Sequence, residues 1–118
     1  MKRILIVDDI VDNSDLLQIF LEGEGYQTDV ANSGAIALAK IVAESPDLVL
    51  LDVMMPGMSG YEVVQQIRQN LKLSTPIMLV TGNDQPALKE GISVETEDFI
   101  QKPIDFDHLL SRIQALLS

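Results

Sequence analysis

The sequence predicts an α/β domain: a parallel sheet with helices on both faces. Three observations carry this expectation. Ile4-Leu5-Ile6-Val7, Leu48-Val49-Leu50-Leu51 and Ile77-Met78-Leu79-Val80 are short unbroken apolar runs, the pattern of strands buried on both faces. Stretches with helical periodicity separate them, and such alternation with short loops means βαβ units with right-handed crossovers. The chain has 118 residues, enough for one core and too few for two, so residues 1–118 read as a single domain.

In chain order, residues 4–7 form the first strand. Residues 12–24 form a helix with Leu16, Leu17, Phe20 and Leu21 along one stripe. Asp12, Asn13 or Ser14 can cap its start, and Gly23 or Gly25 its end. Residues 27–31 are a short strand with Val30 and Ala31 as its apolar members. Asn32-Ser33-Gly34 opens a second helix over 35–44, whose inward side is Ala35, Leu38, Ala39 and Val42. Ser45-Pro46 stops it. The central strand, 48–51, runs directly into Asp52 and then a loop over 53–59 containing Pro56-Gly57.

A third helix spans 60–71, with Val64, Ile67 and Leu71 facing inward. The strand 77–80 ends in Thr81-Gly82. A short helix is expected over 85–92 and a last strand over 98–100, followed by Lys102-Pro103. Asp105 caps a final helix with the stripe Phe106, Leu109, Leu110, Ile113, Leu116 and Leu117. Tyr26 and Tyr61 read as packing residues, and His108 falls on the polar side of the last helix.

Hydrophobic residues make up 47 % and charged residues 22 %, the balance of a globular domain. Cysteine is absent, which rules out disulfides and thiolate metal sites and fits a reducing compartment. No apolar run approaches the roughly 20 residues of a membrane span, and acids interrupt the short one at the N-terminus. A cytoplasmic location with no membrane contact is expected. The net charge of −10, from 18 acidic and 8 basic residues, argues against direct nucleic-acid binding. Clustered acids suit a hard cation instead.

Strand C-termini share one edge of a parallel sheet, where α/β folds place ligands. Asp8 and Asp9 leave the first strand, Asp52 the third and Thr81 the fourth, and Lys102 lies just past the fifth. Taken singly, each has a plainer reading: a helix cap, a turn, a surface lysine. Taken together they bring three carboxylates, a hydroxyl and an ammonium to one edge. Crowded carboxylates repel unless a cation joins them, and Mg²⁺ takes a few carboxylates while keeping several waters. Lys102 can pair with a phosphoryl oxygen as a point charge, and Thr81 can donate one hydrogen bond. The set suits a phosphoryl group carried on Asp52, since such transfer needs positioning and charge neutralisation.

These residues resemble the receiver domain of two-component response regulators over essentially the whole chain. The matching pieces are Asp8-Asp9, the stretch from Leu50 through Asp52 and Pro56-Gly57 to Gly60, Thr81, and Phe99 to Lys102-Pro103. The resemblance implies a flavodoxin-like (βα)5 fold with strand order 2-1-3-4-5. It implies Asp52 as phosphoacceptor, with Lys102 contacting the phosphoryl group and Thr81 turning toward it on activation. It implies Mg²⁺, replaceable by Mn²⁺, held by Asp9, Asp52 and the Met54 backbone carbonyl, with Asp8 acting through water. Lys102-Pro103 is expected to be cis and the other X-Pro bonds trans. Phe99 takes the place of the aromatic switch residue, and as Phe it has no hydroxyl. Two features depart from the common pattern: the interval from Thr81 to Lys102 is one residue short, and Glu95-Thr96 stands where a small Gly-Ala pair is usual.

The implied function is a signalling switch with slow self-dephosphorylation, not an enzyme acting on a separate substrate. Its partners would be a histidine kinase or histidine phosphotransfer protein, and no output domain lies within these residues. A phosphorylation-dependent homodimer would use the helix over 85–92, the last strand and the last helix, with Glu97, Asp98 and Arg112 as charged groups. Three alternatives fit the residues less well. A haloacid-dehalogenase-type phosphatase wants a second Asp two residues after the first, and position 54 is Met. A flavin carrier needs a phosphate-cradling first loop, and Asp8-Asp9 with Asp12 would repel phosphate. A degenerate receiver used only for docking would lack some of the site residues, and all are present.

Overall fold

The computed structural model describes residues 1–82 and 98–117. The helix expected over 85–92 and residues Glu95 to Glu97 lie outside them. Five parallel strands form the middle layer in the order β2-β1-β3-β4-β5: β1 Arg3–Val7, β2 Gln27–Ala31, β3 Leu48–Asp52, β4 Ile77–Thr81 and β5 Asp98–Gln101. This is the flavodoxin-like order. The described helices are α1 Val11–Gly23, α2 Gly34–Ala43, α3 Gly60–Gln65 and α4 Phe106–Leu117.

Side chains alternate across a strand, so each buried strand feeds two cores. Leu5, Val7, Val49, Leu51, Ile77 and Leu79 pack with Ala37 and Ile41 of α2 and with Val63 and Val64 of α3. Ile4, Ile6, Leu48, Leu50, Met78 and Val80 pack with Leu17 and Leu21 of α1 and with Leu109 and Ile113 of α4. Burying one such side chain contributes about 1.5–3 kcal/mol. The half-exposed ion pairs at the sheet margin, Lys40 with Asp29 at 2.8 Å and Arg3 with Glu44, are worth about 0–1 kcal/mol each. The two cores, not these pairs, fix the strand order.

Several local expectations need correction. None of Asp12, Asn13 and Ser14 caps α1. The N-cap is Ile10, and the Asp8 carboxylate accepts from the Ile10 N–H at 2.9 Å. Leu16 is 55 % exposed rather than inward, because Ser14, Leu17 and Leu21 occupy the buried stripe. In α2 the inward residues are Gly34, Ala37 and Ile41, and Val42 is 64 % exposed. That helix is apolar nearly all round, so periodicity alone could not phase it. The helix predicted over 60–71 is continuous, but its last turn, Gln66–Asn70, is π-helical, with the Leu71 N–H donating to the Gln66 carbonyl at 2.9 Å.

The start of α3 is pressed against the end of β3. Ser59 and Glu62 form a capping box, and the Gly60 N–H donates to the Val53 carbonyl at 2.9 Å. A Cβ on Gly60 would stand 2.5 Å from the Asp52 carbonyl oxygen and 2.7 Å from Val53 Cα. Both are backbone atoms of the site-bearing strand and cannot swing aside. Gly60→Ala is therefore expected to destabilise the fold by about 1–3 kcal/mol, as overpacking does. Urea unfolding of the two proteins measures it, and equal midpoints would show that the loop has slack.

Candidate functional site

The alternation that builds the two cores also selects the site. Asp8, Asp52 and Lys102 continue the even-numbered face of β1, β3 and β5, toward α1 and α4. Thr81 continues the odd-numbered face of β4. Asp52 ends β3 and is 3 % exposed, and Asp8, just past β1, is 4 % exposed. Oxygens of Asp8, Asp9 and Asp52 lie within 4.8 Å of one another. Lys102 Nζ is 3.3 Å from Asp52 Oδ2, and the Met54 N–H donates to Asp52 Oδ1 at 3.3 Å. The Lys102-Pro103 peptide is cis, and it is the one cis bond among the described residues.

Three of the sequence-predicted acids and the predicted lysine thus converge. Thr81 lies on the neighbouring strand, one residue past Val80, the register partner of Asp52, and it is buried. Thr81 also borders an open cleft of about 500 Å³ with Phe99, Gln101, Pro103, Asp105 and His108. Phe99 is 40 % exposed at its rim. His108 is exposed, as its position on α4 suggested.

Burial pushes the Asp52 carboxyl above its ordinary range. The Lys102 charge pulls against that shift, the Asp8 charge adds to it, and the Met54 N–H opposes it. Among the described residues, one site atom has no partner: Asp9 Oδ1 is buried and accepts no hydrogen bond from them. Buried polar atoms are nearly always satisfied, so an orphaned carboxylate oxygen among three acids fits a cation ligand. Fold and acids agree here on the same small volume.

Sequence reasoning passed over Asn32. Its amide donates to the Asp8 carbonyl at 2.6 Å and to Ser14 Oγ at 3.3 Å. The signal was available: strand order puts the end of β2 beside the end of β1, so the residue after β2 adjoins the acidic loop.

Comparison with known proteins agrees with this geometry. The family model for the response regulator receiver domain matches residues 4–114. Response regulator ArlR of Staphylococcus saprophyticus is 38 % identical over 118 residues, 99 % of this chain and 53 % of that protein. Transcriptional regulatory protein ResD of Bacillus subtilis is 41 % identical over 116 residues, 98 % of this chain and 48 % of ResD. The chain spans about half the length of these curated relatives. Among solved structures, chemotaxis protein CheY4 of Vibrio cholerae aligns with a TM-score of 0.89 at 32 % identity, covering 99 % of both chains. Response regulator TrrA of Thermotoga maritima, solved in complex with Mg²⁺-BeF, aligns at 0.88 and 38 % identity, covering 99 % of this chain and 100 % of TrrA.

The elevated Asp52 pKa has a consequence for stability. A group that holds its proton more tightly when folded contributes fully below the ordinary Asp range. That contribution is lost as pH rises through the elevated value. Asp52→Asn keeps the shape and removes the titration. In metal-free buffer the variant is expected to be more stable than the parent near neutral pH, and the difference should shrink on acidification. Urea melts across pH measure this. A variant less stable at neutral pH would show that the Lys102 pairing outweighs the cost of burying the charge.

Proposed function

The chain belongs to the response regulator receiver family, and on that premise we propose that Asp52 is the phosphoacceptor of its signalling switch. The observation that carries the reading is the buried strand-end carboxylate of Asp52, with one ammonium 3.3 Å away and two further acids crowded beside it. Phosphoryl transfer joins an Asp52 carboxylate oxygen to phosphorus. The phosphorus–nitrogen bond of a phosphohistidine donor breaks, and its electron pair stays on the imidazole. Lys102 contacts the incoming phosphoryl oxygens as a point charge, and the Thr81 hydroxyl donates to one of them once it turns inward.

Asp9, Asp52 and the Met54 carbonyl would hold Mg²⁺ or Mn²⁺, with Asp8 acting through water. The orphaned Asp9 oxygen supports that assignment. A cation bound there supplies neutralisation of the phosphoryl charge. Catalysis stays confined to the protein's own phosphorylation and slow hydrolysis. Water attacks the phosphorus, the bond from phosphorus to the Asp52 oxygen breaks, and inorganic phosphate leaves as the carboxylate is restored. Residues 1–118 act as one receiver unit.

Response regulators act with histidine kinases in two-component systems, and the donor proposed here is a histidine kinase or a histidine phosphotransfer protein. Ile10, Val11, Leu16 and Ile19 are exposed apolar residues on α1 and the loop before it. A hollow of about 220 Å³ between Leu16, Leu17, Pro103, Ile104 and Phe106 opens beside Asp8 and Lys102. Apolar surface bordering the phosphoryl site suits a helical donor partner. Such kinases work in the cytoplasm, which we take as the compartment. Among the described residues no helix is long and apolar enough to cross a membrane.

The response to phosphorylation runs through Thr81 and Phe99, which share the cleft beyond β4. Movement of Thr81 toward the phosphoryl group clears room for Phe99 to leave its exposed position. The surface of β5 and α4 then changes, and it is the face proposed for a homodimer. In the single chain, Arg112 donates to Asp98. A dimer that pairs these groups across the interface must first exchange that contact.

Intact-mass measurement after incubation with acetyl phosphate tests the assignment. One phosphoryl group is expected on the parent with Mg²⁺, none with EDTA, and none on Asp52→Asn. Phosphoryl uptake by Asp52→Asn would refute it. For the dimer, sedimentation velocity with and without beryllofluoride is expected to show association only with the mimic. Arg112→Ala should weaken that association by about 0–1 kcal/mol, as for an exposed pair. A monomer under both conditions leaves partner binding as the output.

A further inference from the structure

We infer that Asn32 is a positioning residue for the cation site, acting through the Asp8–Asp9 peptide. The inference rests on the reading of that site given above. Asn32 Nδ2 donates to the Asp8 carbonyl at 2.6 Å and to Ser14 Oγ at 3.3 Å. Ser14 is fully buried, and its hydroxyl donates onward to the Val11 carbonyl at 2.9 Å. The Asp8 N–H meanwhile donates to the Ala31 carbonyl at 3.1 Å. Both backbone polar groups of Asp8 are therefore held by consecutive residues at the end of β2.

A backbone carbonyl only accepts, so Asn32 must present its NH₂ to Asp8, and its orientation is settled by chemistry. The peptide is planar. Fixing the direction of the Asp8 carbonyl fixes the Asp9 nitrogen and Cα in the same plane. Asp9 is the acid with the buried, unpartnered oxygen. Asn32 thus reaches the orphaned ligand through one rigid unit without touching it.

The plainer role for this position, starting α2, is already filled by Ser33, whose Oγ accepts from the Ile36 N–H at 3.2 Å. There is also a reason for an amide here. Three carboxylates within 4.8 Å push the acidic loop outward whenever no cation is bound. A lysine at position 32 would oppose that by pairing with the acids and occupying their oxygens. A neutral amide restrains the backbone and leaves the carboxylates free. Removing such an outer partner typically costs about 10–100-fold in metal affinity.

The experiment is calorimetric titration of the whole chain with Mg²⁺, comparing the parent with Asn32→Ala, Asn32→Leu and Ser14→Ala. Melting in EDTA reports general loosening. Asn32→Ala is expected to bind Mg²⁺ about tenfold more weakly, with a phosphorylation rate near the parent's once Mg²⁺ is saturating. Amide hydrogens of Asp9 and Ile10 should exchange faster in EDTA. Ser14→Ala keeps the Asn32–Asp8 bond and should stay within about twofold of the parent. Parent-like affinity in Asn32→Ala overturns the inference. So does an equal loss in Ser14→Ala, which would mark a merely structural effect. Should Asn32→Ala fail to fold, Asn32→Leu, similar in bulk with neither donor nor charge, carries the measurement. A parent that takes up no Mg²⁺ overturns the reading of the site along with this inference, and shows itself before any variant is compared.

Discussion

The structure turns on a carboxylate that the fold removes from water and gives only partial compensation. Asp52 is 3 % exposed, close to Asp8 and Asp9, with one ammonium among the described residues, that of Lys102, at 3.3 Å. Left to itself this arrangement costs stability, since one positive charge does not neutralise three acids held together. The two hydrophobic cores offset that cost. Leu50 and Leu51 precede Asp52 in β3 and are buried on opposite faces of the sheet, so the strand cannot withdraw to let its terminal carboxylate hydrate. The strained electrostatics are thus built into a strand that is buried along its whole length.

That coupling explains what the sequence made legible. Strands buried on both faces announce themselves as unbroken apolar runs, and β1, β3 and β4 fell where those runs lie. Parallel pairing then put Asp8, Asp9, Asp52, Thr81 and Lys102 at one edge without further information. Parity along the strands goes one step further. Counting by twos from Ile4, Leu48 and Ile100 reaches Asp8, Asp52 and Lys102 on one face, while counting from Ile77 reaches Thr81 on the other. Parity thus separates Asp8 and Lys102 from Thr81, but not Asp9, which follows the odd face by count and still reaches the cluster from the loop after β1.

What the sequence concealed has equally local causes. The phase of α2 was obscured because alanines and aliphatics surround the helix, so Val42 and Ile41 compete equally for the core on pattern alone. The start of α1 was obscured because Asp12, Asn13 and Ser14 all favour caps, yet the N-cap is Ile10 and no side chain caps the helix. Asp8 of the site loop only holds the Ile10 N–H. The π-helical turn after α3 has no signature that periodicity detects. Asn32 escaped notice because its importance is non-local. Its partner Asp8 is 24 residues away, and only the adjacency of β2 and β1 brings them together.

An acid cluster that is uncomfortable when empty of positive charge is a good receiver of state. A site with fully satisfied carboxylates would gain nothing from a cation and would resist the further charge of a phosphoryl group. Here burial raises the proton affinity of Asp52. The same burial means that added oxygens meet few competing waters, so donors nearby gain more by turning to them than they would at an exposed site. Thr81 is the buried hydroxyl on the adjacent strand, and the space on its far side is a cleft rather than packed core. Phe99 lines the same cleft and is half-exposed. Uncompensated charge at the end of β3 and open space beside the end of β4 thus adjoin at one edge of the sheet.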